Sequence, residues 1–191
     1  ESSMPTDRIE GFLHPDTYTF TRGATEEQVI GTMVKRALEE HKKATANTKA
    51  GVQLNLLEAM TLASIVEKET GDPSERAVIA GVFYNRLKKG MRLETDPTVI
   101  YGIKNYDGNI RKKDLQDPSN VYNTYKIKGL PPGPIASAGA DALRAVAYPS
   151  THAFLYFVAK GPGSGSHHFA PTLEEHNRNV KKYLQARKKS G

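Results

Sequence analysis

The chain has 191 residues, of which 38% are hydrophobic and 25% are charged, and it contains no cysteine. This length fits one domain with its own core, and these proportions are ordinary for a globular protein. The absence of cysteine excludes disulfide bonds and thiol nucleophiles and leaves the redox compartment undetermined. No run approaches the ~18 apolar residues of a membrane-spanning helix, and the N-terminus lacks the apolar core of a signal peptide.

The net charge of +6 allows two interpretations. The basic residues form short runs, most of them near predicted C-terminal ends of helices, at 41–43, 86–89, 111–113, 181–182 and 187–189. Cations at such ends complement the helix dipole, so the runs are interpreted first as solvated helix ends. The alternative is a surface that attracts an anionic polymer. No nucleic-acid-binding motif accompanies the charge, and no nucleic-acid partner is predicted.

Helix starts are well marked along the chain. Capping sequences predict helices at 25–46, from 55 through the glutamates at 67 and 69, from 72 to about 90, at 96–101, at 137–147 and from 172 onward. Short strands are predicted at 17–20, 122–127 and 154–159. Dominant helices with a few short, scattered strands predict an α+β fold in a single mixed domain.

Two glutamates, Glu67 and Glu69, end the apolar run LASIVEKET at 62–70. A helix turns by ~100° per residue, so residues three, four and seven positions beyond Leu62 share its face. Glu69 lies seven positions beyond and falls within the apolar stripe, whereas Glu67 lies about 140° away from Leu62. The two side chains are therefore predicted to point apart. Glu67 is interpreted as a solvated or supporting residue.

A carboxyl group on a buried face, such as that of Glu69, needs a function or a partner. Desolvation raises the pKa of a glutamate above its ordinary value of ~4.3, and a rise of about two units keeps a proton available near neutral pH. A glutamate that acts as a general acid requires such a rise. The alternative is that Glu69 caps the helix end or pairs with Arg76, Arg86 or Arg92. The pattern alone leaves both readings open.

Further polar residues are candidates for a binding site. Asn85 lies on the inward face of its predicted helix, where its amide could hydrogen-bond a ligand, orient the buried glutamate or be satisfied by hydrogen bonds within the core. Asp96 precedes Pro97 and is predicted to be the N-cap of a short helix. Thr98 and Tyr101 project from that helix and are included as candidate substrate-binding residues.

The predicted strand at 122–127 offers aromatic and amide groups that could bind a ligand. The candidates on it are Tyr122, Asn123 and Tyr125. Tyrosine presents an apolar face for stacking and a polar tip for hydrogen bonding. The alternative for these residues is half-buried packing within the strand.

The histidines near the C-terminus do not have the spacing of a zinc motif. They are His167, His168 and His176. Structural zinc sites place their ligands in closely spaced pairs of cysteine or histidine. Neither a metal nor another cofactor is therefore predicted.

Six segments carry a resemblance to a known family. In chain order they are EGFLHPDTYTF, LASIVEKET, VFYNRLKKGMRLETDPTVIYG, YNTYKIKGLPPGPIASAGADALRAVAYPS, FLYFVAKG and HHFAPTLEEHNRNV. Together they cover nearly everything from Glu10 to about Tyr183 and resemble the endolytic murein transglycosylases of the MltG (YceG-like) family. Two departures occur. His14 replaces an aromatic or apolar residue, and residues 166–169 read Ser-His-His-Phe instead of Gly-His-x-Phe.

The resemblance implies a lytic transglycosylase that terminates or trims nascent glycan strands. Such an enzyme cleaves the bond between MurNAc and GlcNAc without water and leaves a 1,6-anhydro-MurNAc end. In the family the catalytic residue is the second glutamate of the Glu-Lys-Glu element, which corresponds to Glu69. Chemistry assisted by the substrate's acetamido group needs one acid/base and not two. His167 and Asn177 are expected to line the substrate groove by resemblance only.

The resemblance also implies a domain arrangement and a location. Residues 1–9 are interpreted as a linker and 10–191 as the catalytic domain, and the family's N-terminal membrane helix and LysM-like subdomain are absent from this sequence. The expected location is the periplasmic face of the inner membrane, with a single-pass anchor. The expected partners are peptidoglycan glycan strands and peptidoglycan synthases (penicillin-binding proteins). The competing hypotheses are a non-catalytic peptidoglycan-binding scaffold and a hydrolytic muramidase.

Overall fold

The structure, a computed structural model, describes residues 9–46, 48 and 54–190. This part of the chain forms seven helices and one hairpin. In chain order they are α1 (Glu26–Thr45), α2 (Leu56–Glu69), α3 (Arg76–Lys88), α4 (Asp96–Gly102), α5 (Lys112–Gln116), α6 (Ala140–Ala147), β1 (Tyr156–Ala159), β2 (His167–Ala170) and α7 (Leu173–Ser190). The predicted α+β fold in a single, mainly helical domain is confirmed. Residues 1–8 of the predicted linker lie outside the described residues.

The capping sequences produce three of the helix starts as predicted. At α1 the Thr25 hydroxyl accepts a bond from the backbone N–H of Gln28, whose side chain accepts one from the Thr25 N–H, at 3.3 and 3.0 Å. Asn55 and Glu58 form the same reciprocal pair at α2, at 2.9 and 2.8 Å. The Thr172 hydroxyl accepts a bond of 3.2 Å from the first turn of α7. These local bonds satisfy N–H groups that the helix leaves free.

Three predicted helix starts are wrong. The Asp72 carboxylate accepts bonds from the backbone and hydroxyl of Ser74, which makes a turn, and α3 begins only at Arg76. The prediction that Asp96 is the N-cap of α4 is also wrong, because Thr95 holds that position and Asp96 is the first helical residue. Helix α6 begins at residue 140, three positions after the predicted start.

Residues 122–127 form consecutive turns, and the strand predicted there is wrong. The side-chain oxygen of Asn120 accepts a bond of 3.0 Å from the Tyr122 N–H, and that of Asn123 accepts one of 3.0 Å from the Tyr125 N–H. Asparagine side chains that bond to the backbone two residues later favour turns over strands. These local bonds override the strand preference of the two tyrosines.

The sheet is a single hairpin among the described residues, and only one predicted strand contributes to it. Strand β1 lies within the predicted range 154–159 and pairs antiparallel with β2, with Tyr156 opposite Ala170. Strand β2 was not predicted, and the predicted strand at 17–20 is absent. Helix α7 packs against both strands. The hairpin therefore adds a small β layer to one side of the helical body.

Helix α2 lies at the centre of the core. Every residue from 59 to 66 is buried. The sequence predicted a single apolar stripe on this helix, but in the structure the helix is buried on all sides. Helices α3, α4 and α6 pack against α2, and α6 also contacts α1 and α3. Glu69, the last residue of α2, is half-buried where the helix leaves the core. No helix in the described part of the chain combines the length and apolar character that crossing a bilayer requires.

Candidate active site

A cleft of about 340 Å³ opens beside the C-terminal end of α2. Side chains from α2, α3, α4, the hairpin, α7 and the turns at 122–127 line it. The polar members include Glu69, Arg86, Glu94, Asp96, Tyr125 and His176. The cleft thus joins segments that are distant in the sequence around one carboxyl group at a helix end.

Glu69 has the properties of a proton-transfer group. The Thr95 hydroxyl donates a hydrogen bond to Oε1 of Glu69. Burial raises the pKa of the Glu69 carboxyl to about 7, although the Thr95 hydrogen bond and the charge of Arg86 act in the opposite direction. A carboxyl group with a pKa near 7 can both give and take a proton at neutral pH.

Glu67 points to other partners, as expected from its position on the helix. Its two carboxylate oxygens accept bonds from Arg76 Nη2 at 3.0 Å and from the backbone N–H of Gly139 at 3.1 Å. Gly139 is the N-cap of α6, so Glu67 ties that helix to α2 and α3. Among the described residues, no ion pair joins Glu69 to an arginine. The structure therefore does not support the alternative in which Glu69 forms an ion pair with an arginine.

Arg86 is buried beneath one wall of the cleft. Its Nε and Nη1 donate to three backbone carbonyls, those of Leu155 at 2.6 Å, Arg92 at 3.0 Å and Leu93 at 3.0 Å. Its Nη1 also lies 3.1 Å from the Glu94 carboxylate, and its guanidinium carbon is 5.0 Å from the centre of the Tyr156 ring. Arg86 thereby connects α3 to the segment before α4 and to the start of the hairpin.

Asp96 and Tyr125 form a polar pair in the cleft. The Tyr125 hydroxyl donates to Oδ1 of Asp96 at 2.7 Å. Burial, and secondly this hydrogen bond, raises the pKa of Tyr125, so its hydroxyl stays protonated and donates at neutral pH. Of the predicted site residues, the structure brings Glu69, Asp96 and Tyr125 together in the cleft.

An aromatic surface forms another wall of the cleft. The His176 ring stacks on the Tyr156 ring with centroids 5.2 Å apart and an interplanar angle of 24°. Burial, and secondly the charge of Arg86, lowers the pKa of His176, so this imidazole is neutral at pH 7. Phe157 completes the lining at the hairpin. This wall offers flat, uncharged faces of the kind on which sugar rings stack.

Two predicted amide ligands, Asn85 and Asn123, are used within the fold. The Asn85 side chain lines a separate pocket and donates to two backbone carbonyls, those of His152 at 2.8 Å and Phe154 at 3.0 Å. The fully buried Asn123 donates to three carbonyls at the end of α5, those of Asp114, Leu115 and Asp117. Both amides hold loops in place, and neither lines the Glu69 cleft.

Other predicted site residues also lie outside the cleft lining. Tyr101 packs against the buried Tyr122, with ring centroids 4.6 Å apart. His167 Nδ1 lies 2.7 Å from the Glu75 carboxylate, and this pair joins β2 to the start of α3. Asn177 is exposed on α7. The buried Thr98 lies behind Thr95 and is considered below with its neighbours.

Sequence reasoning missed much of the cleft. Thr95, Glu94, Tyr156 and His176 were not proposed, and Arg86 was considered only as an ion-pair partner. The one available signal was the sequence Thr-Asp-Pro at 95–97, in which threonine is also a favoured N-cap residue. No group of three or more acidic, histidine or cysteine side chains with metal-binding geometry occurs in the described part of the chain.

The sequence model of the YceG-like family matches residues 1–182. The chain belongs to the YceG-like family. The resemblance seen in the sequence is therefore confirmed. A YceG-like protein of Listeria monocytogenes, known from its crystal structure, is 41% identical with a TM-score of 0.77. The match covers 89% of this chain and 55% of that chain.

Two curated relatives of this YceG-like chain are named endolytic murein transglycosylase. The relative from Bacillus subtilis is 40% identical over 183 residues, which are 94% of this chain and 49% of the relative. The relative from Streptococcus pneumoniae serotype 2 is 34% identical over 184 residues, which are 94% of this chain and 33% of the relative. The chain thus spans half or less of the length of these curated relatives.

Proposed function

We propose that this YceG-like chain is the catalytic domain of an endolytic peptidoglycan lytic transglycosylase. It would cleave the bond between MurNAc and GlcNAc and leave a 1,6-anhydro-MurNAc end. The observation that carries the proposal is the Glu69 carboxyl group, which lies in a cleft with a pKa of about 7. The names of the two curated relatives support the substrate class.

In the proposed reaction Glu69 acts first as an acid and then as a base. It protonates the glycosidic oxygen while the bond from this oxygen to C1 of MurNAc breaks, and the acetamido group of MurNAc stabilises the positive charge at C1. The Glu69 carboxylate then takes the proton of the C6 hydroxyl as O6 bonds to C1. One carboxyl group is sufficient for both transfers. This agrees with the engagement of Glu67 by Arg76 and Gly139.

We assign substrate contacts near the reacting bond to Asp96 and Tyr125. The exposed Asp96 carboxylate places negative charge beside Glu69, where it would favour the positive charge that develops at C1. The Tyr125 ring would pack against a sugar face. The other predicted site residues line no part of this cleft, and we assign none of them a contact at the reacting bond. They are Asn85, Thr98, Tyr101, Tyr122, Asn123, His167 and Asn177.

Digestion of purified sacculi tests the proposal. The chain is expected to release muropeptides whose MurNAc ends are lighter by one water than those released by a muramidase. Mass spectrometry of the products distinguishes the two. Ends of hydrolytic mass would instead indicate a muramidase. Binding to sacculi without release would indicate a non-catalytic scaffold, and either result would reject the proposal.

The rate of cleavage is expected to fall with rising pH above about 7, because Glu69 must be protonated to act as the acid. For one essential acid, kcat/KM falls about tenfold per pH unit beyond its pKa. Soluble glycan strands, assayed across buffers at constant ionic strength, provide the measurement. A rate that stays constant between roughly pH 6 and pH 9 would be incompatible with Glu69 as the initial acid.

The relatives' names support a function on murein, and hence in the cell envelope. We further propose that residues 10–191 form the catalytic domain of an enzyme anchored by a single membrane helix. It would act at the periplasmic face of the inner membrane beside penicillin-binding proteins. Chemical cross-linking in cells, followed by identification of the linked proteins, tests the partnership. Recovery of the enzyme without any peptidoglycan synthase would contradict it.

A further inference from the structure

The Thr95 hydroxyl does not cap helix α4, although Thr95 holds the N-cap position. Thr95 is the N-cap of α4, and an N-cap threonine usually accepts a bond from the second or third backbone N–H of the helix. Here the second residue is Pro97, which has no N–H, and no side-chain cap is formed. The hydroxyl donates instead to Oε1 of Glu69, 26 residues away in the sequence. Such departures from local preference are expected at functional sites.

Two buried threonines hold the Thr95 backbone on both sides. The Thr95 N–H donates to Oγ1 of Thr124 at 3.1 Å, and the Thr95 carbonyl accepts a bond from Oγ1 of Thr98 at 2.8 Å. Oγ1 of Thr98 and Oγ1 of Thr124 are themselves 2.9 Å apart. These two side chains and the Thr95 backbone therefore connect α4 to the turns at 122–127. This network fixes the backbone position from which the Thr95 hydroxyl reaches Glu69.

The residue before Thr95 has an unfavourable backbone conformation. Glu94 has a φ of 50°, in the left-handed region that residues other than glycine seldom occupy. Arg86 holds this turn through the Leu93 carbonyl and the Glu94 carboxylate, at 3.0 and 3.1 Å. Strained backbone persists only where surrounding contacts enforce it, and it is common at functional sites. The strain here lies in the segment that brings Thr95 to Glu69.

We propose that Thr95 is a positioning residue for Glu69. Its hydroxyl occupies Oε1, so the proton that moves during the reaction is carried by Oε2. In the first step this proton passes from Oε2 to the glycosidic oxygen, which also keeps the electron pair of the broken bond to C1. In the second step the proton of the C6 hydroxyl returns to Oε2 as O6 bonds to C1. Thr95 keeps its own proton throughout and stabilises the intermediate carboxylate.

This inference rests on the proposed function, and it predicts a specific effect on the titration of the Glu69 carboxyl group. Charged and titratable groups from every element around the cleft line it together with Glu69 and are unchanged in Thr95 variants. They are Arg86 of α3, Glu94 before α4, Asp96 of α4, Tyr125 of the turns, Tyr156 of β1 and His176 of α7. The Thr95 hydrogen bond lowers the pKa of Glu69. Its removal therefore raises that pKa and moves the alkaline fall of activity to higher pH.

Substitution of Thr95 by valine and by serine tests the inference. Thr95→Val keeps the shape but loses the donor, and it is expected to lower kcat by about 10- to 100-fold with KM changed by less than about twofold. Thr95→Ser keeps the donor and is expected to stay within about threefold of the wild type. As a matched control, Thr61→Val removes a buried threonine hydroxyl whose bond lies within α2, to Leu57 O at 2.7 Å. It should leave kcat and the pH profile unchanged.

Titration of the Glu69 carboxyl by carbon-13 NMR gives a readout that does not depend on activity. The pKa of Glu69 should rise by about half a unit or more in Thr95→Val and stay at the wild-type value in Thr95→Ser. Equal loss of kcat in both variants, or an unchanged Glu69 pKa in Thr95→Val, would overturn the positioning role. That result leaves the proposed function intact as long as the wild type releases anhydro ends. Failure of the wild type to do so would reject the proposed function itself.

Discussion

The variant Glu69→Gln is expected to release anhydro ends from murein at least about 10²- to 10⁴-fold more slowly than the wild type. Glutamine has nearly the same shape, but it has no acidic proton to give to the glycosidic oxygen and no carboxylate to take one back. Both proton transfers of the proposed reaction are therefore lost. The measurement is the initial rate of anhydro-muropeptide release at pH 6.5–7, near the pKa of about 7.

The matched control is Glu67→Gln, which makes the same chemical change two positions earlier in the same helix. Glu67 bonds to Arg76 and the Gly139 N–H and is not in the cleft, so its variant should keep most of the activity. If both variants lose activity equally, the loss reflects damage to α2 and not to the chemistry. If Glu69→Gln stays active, Glu69 is not the acid.

Glu69→Gln is also expected to be at least as stable as the wild type above pH 7, which separates loss of chemistry from loss of fold. The Glu69 pKa is raised in the folded state from 4.5 to about 7, so folding binds a proton between these values. The stability of the wild type therefore falls as the pH rises from 4.5 to about 7 and stays lower above it. Removing the carboxyl group is expected to recover about 1–2 kcal/mol there, measured by urea unfolding.

Arg86→Met is expected to lower the free energy of unfolding by about 3–5 kcal/mol, the largest stability effect that we predict. The substitution leaves the carbonyls of Leu155, Arg92 and Leu93 without their buried donor, and it leaves Glu94 without its counter-ion. Unsatisfied buried acceptors are costly. For a chain of this size the midpoint of thermal unfolding should fall by about 6–20 °C, as measured by circular dichroism or calorimetry.

Glu94→Gln is the control for this second experiment. It removes the ion pair with Arg86, whose side chain keeps its three carbonyl partners, and the Glu94 carboxylate is largely exposed. Solvent screens the Glu94 end of this pair, so a change below about 1 kcal/mol is expected. Equal destabilisation by the two variants would show that the charge pair, and not the carbonyl contacts, holds the turn before α4. A shift of less than about 2 °C in Arg86→Met would contradict the structural role altogether.

Features that depend on neighbouring residues could be predicted from the sequence. The capping pairs at Thr25 and Asn55 formed as expected, because each involves groups three residues apart. The strand predicted at 122–127 is absent, and local hydrogen bonds are again the cause. The strand preference of tyrosine competes there with the bonds that Asn120 and Asn123 make to the backbone, and the asparagine bonds prevail.

The surroundings of Glu69 on α2 differ in part from those predicted. The sequence suggested one apolar stripe, but α2 is buried on all sides over residues 59–66. What separates Glu69 from the core is its place at the last position of the helix, beside Thr95. The raised pKa expected from desolvation agrees with the structure, since burial is its main cause. The partner that acts against it, Thr95, could not be recognised from helix periodicity.

By itself, the sequence determined the fold class, the strongest helix starts and the family, and it singled out Glu69 as a candidate. These depend on local bonds, on apolar patterning and on long shared segments. Only the tertiary structure decided which polar groups meet at the cleft: Thr95 reaches Glu69 across 26 residues, and Arg86 reaches Leu155 across 69. Such contacts follow from how helices and turns pack together, and no periodicity within a single element encodes them.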